Sequence, residues 1–189
     1  MKKPLTFFVY CLLSTVYCLL SSCSNHGENT GTPEEKKTLL SSIDSLQNKM
    51  FNPQTMELDK ALAAKGVAAF QEYVKKFPAD TICAEYLFRS SDLSRALGDN
   101  QKAIDYLGRV CKDYPDFAKV PECLFLQGYY YQEFLKDTIH AKEFYNQLIA
   151  KYPKHAFVDD AQALMTMFGK SEEDIIKDFE KKDAEKKKI

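Results

Sequence analysis

An aromatic–proline pair closes an apolar stretch three times in this chain, at Phe77-Pro78, Tyr114-Pro115 and Tyr152-Pro153. The second pair follows the first by 37 residues and the third follows the second by 38. A fixed period of this size limits the fold severely. It is the trace of a stacked array of helical hairpins, in which each unit cannot bury its apolar face alone and must lean on a copy of itself. Residue-by-residue shifts support the repeat. A shift of 37 sets Glu85-Tyr86-Leu87-Phe88 on Glu122-Cys123-Leu124-Phe125. A shift of 38 sets Ala103 on Ala141, Leu107 on Tyr145 and Val110 on Leu148. The two shifts differ by one, which puts one extra residue in the turn around Leu135 to Thr138 relative to Leu97-Gly98-Asp99-Asn100.

Local signals place the helices. Thr32-Pro33-Glu34-Glu35 has proline at a first helical position and a glutamate three residues after a threonine, the reciprocal pattern of a helix start. Leu39, Ile43, Leu46 and Met50 follow as one apolar stripe, which ends around Phe51-Asn52-Pro53. A second helical stretch runs from Leu58 to Phe77 with Leu62, Phe70, Tyr73 and Val74 on its apolar face. A last hairpin is expected from Ala156 to Phe168 and from Ser171 to Lys187, where Ser171-Glu172-Glu173-Asp174 again starts a helix. Its end, EKKDAEKKKI, gives a terminal repeat the polar outer face it needs. Asp178, Glu180, Asp183 and Glu185 dilute the lysines, so a solvated helix is favoured over a membrane-touching basic tail.

The spacing of Ala103, Leu107, Val110 and Pro115, repeated at Ala141, Tyr145, Leu148 and Pro153, resembles the second helix of tetratricopeptide (TPR) repeats. In the first helix, Leu124, Gly128 and Tyr131 stand where that family keeps a large residue, a small one and an aromatic. The preceding unit departs from the pattern with Leu87, Ser91 and Ser94, and the earliest has Gly66 where an alanine is usual. The resemblance implies an all-α fold of antiparallel helical hairpins stacked as a short, TPR-like right-handed solenoid over residues 32–153, closed by a capping hairpin with a charged tail over 154–189. It also implies a concave wall built by the first helix of each hairpin, where partners bind. Carried over, that wall is Glu85, Phe88, Asp92 and Arg95, then Glu122, Phe125, Tyr129 and Gln132. Phe88 and Phe125 are either apolar anchors for a partner or packing between hairpins. Tyr129, Tyr130 and Tyr131 cannot all be buried on one helix, so at least one faces solvent or a partner.

The amino terminus points to export. Lys2 and Lys3 precede an apolar run from Leu5 to Leu20 that is broken by Ser14 and Thr15, the layout of a secretion signal over residues 1–22. As a helix this run spans roughly 26 Å, slightly short of a hydrocarbon core of about 30 Å, so length alone does not exclude a membrane span. The following Leu20-Ser21-Ser22-Cys23 resembles the lipobox of bacterial lipoproteins. That resemblance implies cleavage before Cys23, lipid on its thiol, and firm membrane anchoring by several acyl chains. Residues 23–31 then form a lipidated, flexible tether, since the stretch SNHGENTG is polar and lacks apolar periodicity. The expected place is the cell envelope, on the outer membrane facing the periplasm. Cys11 and Cys18 leave with the signal. Cys83, Cys111 and Cys123 remain, enough for one disulfide and one free thiol; buried thiols are the leading reading, with Cys111–Cys123 the candidate pair.

Charge and motifs narrow the chemistry. The formal charge is −1, from 26 basic and 27 acidic residues. Loss of Lys2 and Lys3 leaves −3. Neither value suits a phosphate-tracking surface, which sets nucleic acid aside. His26, His140 and His155 lack the spacing of a helical metal site, and no CxxC, GxSxG, HExxH or phosphate-cradling glycine loop occurs. Asp159-Asp160 point about 100° apart on a helix and cannot act as facing catalytic carboxylates. The expectation is therefore a non-catalytic scaffold, with no cofactor or metal, that binds envelope proteins or peptides. Exported proteins of similar make include the repeat lipoprotein of the outer-membrane protein assembly complex and the repeat domain of the Tol-Pal coordinator. The alternative is a small-ligand- or glycan-binding lipoprotein, or an accessory subunit of an envelope enzyme.

Overall fold

In the computed structural model, residues 29–186 are described. The signal segment, Cys23 and most of the expected tether lie outside them. The described chain is all-helical: α1 (Pro33–Lys49), α2 (Lys60–Lys76), α3 (Ile82–Ala96), α4 (Asn100–Asp113), α5 (Val120–Glu133), α6 (Thr138–Lys151), α7 (Phe157–Thr166) and α8 (Glu172–Lys186). Among the described residues, extended pairing is confined to an isolated antiparallel bridge between Phe51 and Leu58.

Helix starts follow from capping. The Thr32 hydroxyl accepts from the Glu35 amide while the Glu35 carboxylate accepts from the Thr32 amide, at 3.2 and 2.7 Å, satisfying two amides that the first turn of α1 leaves open. The second helices of the first three hairpins each begin at an aspartate. Asp59, Asp99 and Asp137 accept backbone N–H bonds at α2, α4 and α6. The Ser171 hydroxyl does the same from the amide of Asp174 at α8.

Helix ends repeat even more closely. Phe77, Tyr114 and Tyr152 close α2, α4 and α6 with φ of −130, −133 and −133° and ψ of 52, 60 and 55°. Each aromatic carbonyl then accepts from the amide three residues on, in Asp80, Phe117 and His155. Those residues in turn accept from Cys83, Val120 and Val158. The proline after each aromatic prevents the helix from continuing.

The extra residue of the third hairpin can be located. Leu97 and Phe134 close α3 and α5. The next left-handed residue is Gly98 (φ 88°) in one turn and Lys136 (φ 55°) in the other. Leu135 is the insertion. The Asp137 amide accordingly bonds back to the Tyr131 carbonyl, one residue further than Asp99 to Ser94.

Consecutive helices from α1 to α7 pack in the order of the chain, and α7 also touches α5. The core is the repeat pattern made solid. Ala103, Leu107 and Val110, and their equivalents Ala141, Tyr145 and Leu148, are fully buried, as are Phe70 and Tyr73 of α2. Small residues compensate large neighbours. A Cβ on Gly128 would lie 2.6 Å from the Tyr145 ring, and one on Gly66 would lie 2.9 Å from the methyl of Met50. Thus the departure at Gly66 is filled by Met50, and Ser91 and Ser94 are small enough to be buried where α3 packs.

Up-and-down alternation gives the stack two edges. The turns at Phe77, Tyr114 and Tyr152 lie along one. Along the other are the hairpin tips, where Phe51, Met56, Phe134, Leu135 and Ile139 stay exposed. Thr30 and Gly31, read from the sequence as the end of the tether, are held at the first edge, where their amides donate to the Lys76 carbonyl at 2.8 and 3.3 Å. Gly31 lies so close to the Phe77 ring that a Cβ there would overlap it. At the other terminus α8 is held loosely, by Lys170–Asp178 at 2.6 Å and by apolar residues around a cavity of about 70 Å³.

Candidate partner-binding wall

The eight wall residues expected from the sequence lie on α3 and α5, and the structure divides them into two kinds. Some are occupied within the fold. Glu85 is held between Arg89 at 2.9 Å and Lys119 at 3.1 Å. Burial raises its carboxyl, but these two cations outweigh that and keep its pKa below the ordinary value. Phe88 is 7% exposed, with the Lys119 ammonium 4.6 Å above its ring. Phe125 stacks on Phe157 at 4.7 Å and leans on Tyr145 at 5.7 Å, so it joins α5 to α6 and α7. Gln132 accepts from the Tyr145 phenol at 3.2 Å.

The others remain open. Asp92 and Arg95 reach the surface of α3, and Tyr129 is 36% exposed on α5. Glu122 is half-buried at the start of α5. Asp92 sits in a crowded concavity, where desolvation raises its carboxyl pKa against the opposing pull of Arg95. Tyr129 continues into an aromatic cluster with Tyr130 and Phe134, at 6.2 and 6.3 Å between ring centroids. Of the three successive tyrosines, Tyr130 is buried and Tyr131 half-buried against His140 and Phe144, which leaves Tyr129 as the outward ring.

Sequence reasoning missed the neighbours that shape this wall. Arg89, one turn after Glu85, and Lys119, in the turn before α5, set the local charge. An open groove of about 310 Å³ begins beside Asp92, lined by Gln47, Met50, Phe51, Phe70, Arg89 and Leu93. Its far side is the end of α1, whose helical stripe was legible but whose closeness to α3 was not. The wall therefore offers both signs of charge, an apolar groove and an exposed aromatic edge. Among the described residues no group of three or more metal-ligating side chains gathers, and no helix is long and apolar enough to cross a membrane.

A family model agrees with this architecture for the two middle hairpins. A tetratricopeptide repeat family model matches residues 85–116 and 122–155. No curated protein matches the chain. Among solved structures, one described as the crystal structure of MamA is similar at a TM-score of 0.44 and 20% identity, over 65% of this chain and 61% of that one. The family match falls on the hairpins α3–α4 and α5–α6, which are similar to tetratricopeptide repeats, a kind of repeat that serves protein–protein interaction.

Proposed function

We propose that the chain is a lipid-anchored, non-catalytic scaffold of the bacterial envelope, facing the periplasm from the outer membrane, that recruits a protein or peptide along α3 and α5 during envelope assembly. The observation that carries the binding reading is the contrast within the wall. Glu85, Phe88, Phe125 and Gln132 are occupied internally and fix its shape, while Asp92, Arg95 and Tyr129 are left to solvent. Exposed aromatic and charged groups on a rigid frame are the usual carriers of binding energy. The anchoring half rests on Leu20-Ser21-Ser22-Cys23 after an apolar run.

The test is a photo-cross-linking side chain placed at Tyr129 of the lipidated protein in intact cells, with mass spectrometry of what it captures. An envelope protein released by Tyr129→Glu and Asp92→Arg, with helicity unchanged, supports the wall; retention in both variants sinks it. If no protein is captured and a glycan or metabolite raises the melting temperature by mass action, the ligand-binding alternative takes its place. Labelled palmitate should enter the wild type and not Cys23→Ser; equal labelling of the two removes the anchor.

A further inference from the structure

The three body cysteines occupy different surroundings. Cys83 is fully buried and donates its S–H to the Phe77 carbonyl at 3.1 Å, and burial pushes its thiol up to about 11. Cys111, in the last turn of α4, is only half-buried. Cys123, in the first turn of α5, is fully buried beside it. The Gln127 amide ties the two together, donating to the Cys111 sulfur at 3.6 Å and to the Cys123 carbonyl at 3.2 Å. The two side chains lie close enough to perturb one another's ionisation, Cys123 holding the Cys111 thiol below its ordinary pKa and Cys111 pushing the Cys123 thiol above its own.

This arrangement has the parts of a disulfide-forming pair. One cysteine is partly open to solvent, the second is buried behind it, and the Gln127 amide bridges the sulfur of the first and the carbonyl of the second. We propose that Cys111 and Cys123 form a reversible redox site in which Cys111 is the attacking thiol, Cys123 the resolving thiol, and the product is a disulfide stapling the α3–α4 repeat to the α5–α6 repeat.

The oxidant is an external disulfide, on a small thiol compound or on an oxidoreductase. The Cys111 thiolate, having lost its proton to solvent, attacks one sulfur of that disulfide. The external S–S bond breaks, and the departing sulfur leaves as a thiolate that takes up a proton. Cys123 then loses its proton, and its sulfur attacks the Cys111 sulfur of the mixed disulfide. The second external thiolate departs and is protonated. Two protein thiols are oxidised to one disulfide, and one external disulfide is reduced to two thiols. The surroundings of Cys111 serve the first step. The neighbouring Cys123, helped by Gln127 and the field of Lys151, outweighs burial and lowers the Cys111 pKa, while Cys123 is held protonated until it is needed.

Native full-length protein incubated with oxidised glutathione at mildly alkaline pH, then alkylated and mapped without reduction, tests this. The expected result is a peptide pair joined through Cys111 and Cys123 with the loss of two hydrogen atoms, Cys83 still a thiol, and a melting temperature raised on the order of 5–10 °C over the reduced protein. In Cys123→Ser, Cys111 should stop at the glutathione mixed disulfide and the rise should vanish. A link that forms only after denaturant is added overturns the proposal. So does a link through Cys83 or to another molecule, or wild-type protein that retains glutathione on Cys111 with Cys123 reduced. The wild-type mapping decides the matter even if the variant fails to fold, and it does not depend on the binding or anchoring readings.

Discussion

The phenol of Tyr114 donates to the carbonyl of Pro78 at 2.9 Å, so the aromatic that closes one hairpin is bonded to the proline that closes the one before it. The aromatic–proline pair is therefore more than a stop signal. It is part of the contact through which one repeat registers on its neighbour. Tyr114→Phe keeps the ring and removes the donor, leaving a part-buried carbonyl short of a partner. The variant should lose about 1 kcal/mol in urea denaturation with an unchanged far-ultraviolet spectrum.

Gly128 and Tyr145 are matched in size, since no Cβ fits between them. Gly128→Ala should cost about 1–3 kcal/mol through overpacking. The preceding hairpin has Ser91 and Leu107 at the corresponding positions. Adding Tyr145→Leu to Gly128→Ala should therefore recover part of the loss, and a double-mutant cycle that came out additive would show that the two positions are uncoupled.

Lys136 holds the left-handed conformation that Gly98 holds in the earlier turn. Relief of that strain makes Lys136→Gly a stabilising change of roughly 0.5–1 kcal/mol, readable as a rise in the denaturation midpoint at constant slope.

Two carboxylates should respond to pH in opposite senses. Asp80 is pulled up by burial, but its ion pair with Lys36 at 2.7 Å and the Tyr73 phenol at 2.7 Å bring it below its ordinary value. Its contribution to stability is complete above the unfolded carboxylate pKa and is lost as pH falls through the lowered folded one, so the deficit of Asp80→Asn should shrink toward low pH. Asp92 is raised by desolvation. Its contribution is complete below the unfolded pKa and is lost as pH rises through the folded one, so Asp92→Asn should melt higher than wild type at neutral pH and not under acid. Melting curves of the three proteins from pH 7 down to 3 decide both.

Phe125 and Tyr129 are stacked neighbours on α5 at 6.5 Å, yet they should behave differently on truncation. Phe125→Ala removes the contact with Phe157 and should cost about 2–3 kcal/mol. Tyr129→Ala, at a ring about one-third exposed, should cost less, about 1 kcal/mol. Chemical denaturation of the two variants separates the framework of the wall from its free contacts.

The sequence made legible what repeats by local rules. The apolar spacing at Ala103, Leu107 and Val110, the helix start at Thr32 and the stops at Phe77, Tyr114 and Tyr152 each depend on a few adjacent residues, and all appear in the fold. Even the one-residue insertion was visible, though only the backbone identifies it as Leu135. The wall was legible as positions and not as roles. Glu85 and Asp92 look alike on a helical projection, and what separates them is Lys119, which arrives from another turn. Phe88 and Phe125 could not be told apart from anchors without knowing that Lys119 and Phe157 cover them.

The bonds from Thr30 and Gly31 to Lys76 settle where the polypeptide enters the stack. Seven residue steps separate Cys23 from Thr30, a reach of at most about 25 Å. A lipid on Cys23 would thus moor the molecule by the edge of the Phe77, Tyr114 and Tyr152 turns and leave the opposite edge as its free end. Phe51, Met56, Phe134, Leu135 and Ile139 all lie there. Such a molecule would stand off the bilayer like a bracket, carrying its stickiest side chains on the end that faces incoming traffic.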